Sequence, residues 1–201
     1  MLRGRERRHV VVGAAIAGAV LSKRASSKDA PTVTGEEQSI GTRYKMRQRL
    51  LTIGDRFFIE DEHGDRVFRI ESKVIRVRKT LKFQDMDGND IYTIQEKMAR
   101  IRDTMEIEKD GHAVAKIHNA MITPLRDRWS ISITDGEDLT ARGNILNHEY
   151  KIFRGDQVVG SVSKRWFRVR DTYGVDVQKG EDAALILAIT AVIDSMAHEG
   201  R

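Results

Sequence analysis

The apolar positions along this chain follow two periods, a helical one in a single stretch and a strand-like one over most of the rest. Asp182 to His198 reads DAALILAITAVIDSMAH, apolar on nearly every helical face, with only Thr190, Asp194 and His198 forming a thin polar line at a spacing of four. Such a helix has to be surrounded. Asp194 interrupts the run, which falls short of the ~18 uninterrupted apolar residues a membrane span needs, so protein is the expected surround. Upstream the alternation is period two: Trp129, Ile131 and Ile133 oppose Ser130 and Ser132, and Tyr173, Val175 and Val177 oppose Asp176 and Gln178. Turn signals recur at Gly64, Gly88, Gly111, Gly136 and Gly155, where a hairpin turn needs positive φ. The pattern predicts a meander of hairpins wrapped round the last helix.

A second repeat lies between these turns. RVRKT (Arg76, Arg78), RIRDT (Arg100, Arg102) and RVRDT (Arg168, Arg170) each put two arginines and a threonine on one face of an expected strand, with Val77, Ile101 or Val169 on the other. Each copy follows a base three residues earlier: Lys73, Lys97 or Arg165. The interval between the first two copies matches that from Gly64 to Gly88, which argues for a repeated hairpin unit.

Ahead of this pattern, residues 1–43 read as an extension and linker, and residues 44–201 as the folded domain. The extension has a basic start, an apolar run from Val10 to Leu21, and a polar stretch from Ser22 to Thr42 with the composition of a flexible linker. The apolar run is too short for a transmembrane helix. A membrane-surface anchor, a secretion signal and an unstructured tail are all compatible with it, so the expected location is cytoplasmic and peripheral to a membrane, with secretion left open. At 201 residues and 40% hydrophobic content the chain can bury one sizeable core. The absence of cysteine excludes disulfides, thiolate zinc sites and cysteine nucleophiles. Net charge is +5, but residues 1–30 hold seven bases and two acids, which leaves twenty-eight of each in the remainder. A neutral domain lacks the usual footprint of a duplex-binding protein, and no nucleic-acid partner is expected.

Five segments in order carry a family resemblance: YKMRQRLLTIGD from Tyr44, RIRDTMEI from Arg100, Pro124-Leu125-Arg126-Asp127, GNILNHEY from Gly143, and VSKRWFRVRDTYGV from Val162. Together they resemble the LURP-one-related proteins, part of the tubby C-terminal-like group that also includes the phospholipid scramblases. The resemblance covers Tyr44 to His198. It implies a mainly β fold, a closed antiparallel β-barrel of about twelve strands enclosing the hydrophobic C-terminal α-helix; only a barrel wider than the side-chain-filled eight-stranded kind has room for one. Because tubby relatives bind phosphatidylinositol bisphosphate and scramblases act on membranes, it also implies anionic phospholipid as the leading ligand class. No tubby lipid-binding motif aligns with the chain, so no residue is carried over.

Among the residues themselves, Arg76, Arg78, Arg100, Arg102, Lys164, Arg165, Arg168 and Arg170 are the candidates for an anionic lipid, since planar multi-donor groups on neighbouring strands can converge on phosphate oxygens. Trp166 adds an aromatic beside Lys164 and Arg165. The competing reading is a solvated exterior whose arginines pair with acids such as Glu106 and Glu108. His148-Glu149 begins like a zinc-protease motif, but Ile152 stands where the second histidine belongs. Asp85, Asp87, Asn89 and Glu96 match parts of a calcium loop, yet Asp90 takes the place of its turn glycine and a hairpin turn explains them. No metal, cofactor or catalytic constellation is read, and the expectation is a non-enzymatic binding module. The alternatives are a protein-interaction scaffold with its own protein partner and no lipid role, and a scramblase-like activity. Asp194, if buried, needs partners, which Thr190 or a barrel Arg or Lys could supply; otherwise it reaches water at the helix end.

Overall fold

The computed structural model describes residues 41–47, 56–75, 78–97, 104–123, 126–167 and 171–198. Twelve antiparallel strands form a closed barrel: β1 Thr42–Arg47, β2 Arg56–Glu60, β3 Arg66–Ile75, β4 Arg78–Gln84, β5 Asp90–Lys97, β6 Thr104–Lys109, β7 His112–Thr123, β8 Arg126–Ile133, β9 Leu139–Asn144, β10 Glu149–Arg154, β11 Gln157–Ser163 and β12 Thr172–Val177. Each strand pairs with its neighbour in sequence, and β1 closes the ring by pairing over its whole length with β12, from Thr42 opposite Val177 to Arg47 opposite Thr172. That pairing takes Thr42 out of the stretch read as linker. The five glycine turns join β2 to β3, β4 to β5, β6 to β7, β8 to β9 and β10 to β11, and all but Gly136 have positive φ.

The barrel axis is filled by α1, Ala183–His198. Ten consecutive residues, Ile186 to Ser195, are buried, so the helix presents no solvated face along its middle. It touches β5, β6, β7 and β12, and meets the inner ends of Ile70, Leu81, Ile94, Ile107, Ile117 and Ile131 in one hydrophobic cluster. Gly160 on β11 marks a close approach, where an added methyl would stand 3.1 Å from Ile186 Cγ2. Burying each Leu, Ile or Val of the helix contributes roughly 1.5–3 kcal/mol. The plug is therefore a principal source of core energy.

The two ends of the helix are fixed differently. At its start Asp182 Oδ1 accepts from the Leu185 N–H at 3.0 Å, while Oδ2 accepts from the Tyr92 hydroxyl at 3.0 Å. Burial, and then the Asp182 charge, push the Tyr92 hydroxyl above its ordinary range. Arg154 clasps Glu181 through two bonds of 2.6 Å beside it. Near the other end Asp194 is buried rather than open to water. Its partners are His148 and His198, because the Thr190 hydroxyl is already bonded to the Ile186 carbonyl one turn back at 2.9 Å. Burial alone would raise the Asp194 carboxyl, but hydrogen bonds from the two histidines outweigh it and hold the group below the usual carboxylate range.

Candidate functional site

Of the eight predicted ligand residues, Arg76, Arg100, Arg102, Arg168 and Arg170 lie outside the described residues. Arg78 opens β4 opposite Ile75. Of the three arginine repeats, Arg78 to Thr80 lie in β4, Thr104 stands at the start of β6 and Thr172 at the start of β12.

Lys164 and Arg165 follow β11 in a short turn. The turn is tied to Glu149, which accepts from the Ser163 hydroxyl at 2.9 Å and from the Lys164 N–H at 3.2 Å, with Arg165 Nε 3.7 Å away. Arg165 remains largely exposed. Trp166 is engaged by the barrel itself: it lies on Gly174 of β12, and the Arg43 guanidinium stacks over its ring at 4.3 Å. Glu106, expected opposite an arginine, faces Lys116 at 3.8 Å. The calcium-like segment is a hairpin turn in which Asp85 accepts from the Asn89 main chain and side chain.

The register of the barrel assembles a basic row that the sequence hides. Arg128 on β8 stands directly opposite Arg142 on β9, and Arg142 directly opposite Lys151 on β10. Adjoining strands lie about 4.8 Å apart, so three cationic side chains span roughly 10 Å of the outer face. Like charges placed directly opposite repel and are normally avoided. Arg128 and Arg142 are exposed, and among the described residues neither has a carboxylate partner. Arg142 also rests over the Phe153 ring at 5.1 Å, which fixes its guanidinium against the sheet. Further round the same line Ser161 follows Lys151, and then Asp176 meets Arg43 at 3.2 Å. The result is a short cationic strip of planar and flexible donors suited to phosphate oxygens.

A cleft of about 370 Å³ beside the start of α1 is a weaker candidate. Its walls include Glu137, Glu181 and Asp182, and its arginine, Arg154, is already held by Glu181. An anionic ligand would meet three carboxylates there. Among the described residues no helix is long and apolar enough to cross a membrane.

Comparison with known proteins agrees with this architecture. A family model described as LURP-one-related matches residues 42–194. The Bacillus subtilis protein YxjI is 25% identical over 149 residues, 74% of this chain and 90% of YxjI. A crystal structure of an Arabidopsis thaliana protein superposes with a TM-score of 0.56 at 15% identity, covering 76% of this chain and 90% of that one, a likeness of fold.

Proposed function

The chain belongs to the LURP-one-related family, and from that premise we propose that it is a non-enzymatic binding module that engages anionic phospholipid at a membrane surface. The observation that carries this reading is the exposed pair Arg128 and Arg142, set directly opposite one another on adjoining strands with Lys151 on the next. A fold that sets like charges opposite one another loses stability unless something anionic compensates. A lipid phosphate, presented in a plane of many others, matches a strip on the outside of a barrel better than a deep pocket would.

Such a strip is too weak to hold alone. Each Lys or Arg near an anionic leaflet contributes about 1 kcal/mol, and stable attachment commonly takes two signals. Val10 to Leu21, apolar with basic flanks on both sides, supplies a second in sequence terms.

Flotation with liposomes tests the reading. Full-length protein should bind vesicles rich in phosphatidylserine or phosphoinositide at low salt, release as salt rises, and bind phosphatidylcholine vesicles poorly. The double variant Arg128→Glu, Arg142→Glu should lose affinity by at least about tenfold. Equal flotation on neutral and acidic lipid would remove the electrostatic mechanism, and no flotation on either would favour a scaffold that docks a protein partner.

A further inference from the structure

At the end of α1 the barrel encloses a polar cluster that packing does not explain. Asp194, with its side chain 1% exposed, receives two imidazoles on one carboxylate oxygen: Nε2 of His148 bonds to Oδ1, and Nδ1 of His198 lies 3.3 Å from the same atom. The three donor atoms lie within 4.8 Å of one another. His148 leaves the 3-10 turn Ile145–Asn147 with φ of 53°, a left-handed conformation that is uncommon for a side-chain-bearing residue. Its ring is held between Tyr173, at 4.3 Å, and His198, at 5.2 Å. His198 is four residues beyond Asp194 on the same helix face.

One contact is missing. Among the described residues Asp194 Oδ2 has no hydrogen-bond partner, nor has the hydroxyl of Tyr173, whose ring packs on His148. An imidazolium on either histidine would balance the charge of Asp194 but would leave Oδ2 unsatisfied, a cost that buried carboxylates rarely bear.

We propose that His148 Nε2, the Asp194 carboxylate and His198 Nδ1 form a binding site for one divalent first-row transition-metal ion of the zinc class. Two imidazoles and one carboxylate suit zinc, cobalt or similar ions, whereas calcium and magnesium call for oxygen ligands. In a zinc site with bonds of about 2.0–2.1 Å the ligand atoms sit roughly 3.3 Å apart, a spacing these atoms reach with small side-chain shifts. Rings held by stacking are part of what a preformed site requires. Nδ1 of His198 also lies 2.8 Å from the Asp194 carbonyl oxygen; on binding, that nitrogen releases its proton to solvent and donates its lone pair to the metal. His198 is 28% exposed, which gives ion and proton a route at the barrel rim.

Cobalt(II) added alone to chelator-stripped full-length protein tests the proposal. The expected result is visible d–d absorption that saturates at one ion per chain, disappears when zinc displaces cobalt, and is accompanied by a melting temperature raised by about 5–10 °C at a hundredfold excess over Kd. His198→Asn, at the rim where the fold tolerates change, should remove the absorption. His112→Ala, on an exposed hairpin, should keep it. Saturable absorption that persists in both His198→Asn and Asp194→Asn would place the ion elsewhere and overturn the site, as would folded wild-type protein that binds neither cobalt nor zinc at stoichiometric levels.

Discussion

Trp166 lies on Gly174 so closely that a methyl group at that glycine would stand 2.6 Å from Trp166 Cε3 and 2.9 Å from Phe167 Cε2. The turn carrying these aromatics thus covers the outer face of β12, and Thr172, Gly174 and Asp176 are buried although they point away from the barrel interior. Gly174→Ala should lift the turn and cost about 1–3 kcal/mol, lowering the melting temperature by about 2–4 °C per kcal/mol. Tryptophan emission should shift to the red in the same variant. Unchanged melting and emission would show that the turn is not seated on the strand.

Relieving the basic row should separate stability from binding. Arg142→Thr removes one like-charge contact on each side, so the protein should melt unchanged or slightly higher, by about 0.2–1 kcal/mol, while its affinity for acidic vesicles falls. Loss of both together would mean that Arg142 is a structural residue, held by Phe153.

The helical plug makes a sharper demand. Leu187 is fully buried, and Leu187→Ala should cost about 2–5 kcal/mol against a total near 5–15. Leu187→Asp should leave no cooperatively folded soluble protein. Denaturant titration followed by circular dichroism distinguishes the two variants from wild type, and an unchanged midpoint in Leu187→Ala contradicts the packing.

At the other end of the same helix, Asp182→Ala deletes a cap and deprives Tyr92 of its acceptor. The expected cost is about 1–2 kcal/mol. Tyr92→Phe removes only the second interaction and should cost roughly 0.5–1.5 kcal/mol. A double variant less destabilised than the sum of the two would confirm that they share one contact.

Local signals were legible in the sequence. The five glycine turns and the apolar stretch after Asp182 each report a property of their own few residues, and the ring of strands around a helix follows from them. Partners set by register were not. Arg128, Arg142 and Lys151 carry no motif, because their adjacency depends on two strand pairings, β8 with β9 and β9 with β10. His148 showed itself only as half of a failed zinc-protease motif, and its meeting with Asp194 depends on a helix threading the whole barrel. Of the six repeat arginines only Arg78 falls among the described residues, so the repeats stand as a reading of local spacing.

The closure of β1 on β12 has a consequence for synthesis. Arg43 must wait for Asp176, 133 positions later, and the apolar lining of every earlier strand has no filling until α1 follows. A nascent chain of this kind emerges as a row of hairpins with one sticky side and two open edges. Folding dominated by such distant contacts is slow. Cells that make this protein should therefore depend on ribosome-associated or downstream chaperones to shield it until its last turn of helix is released.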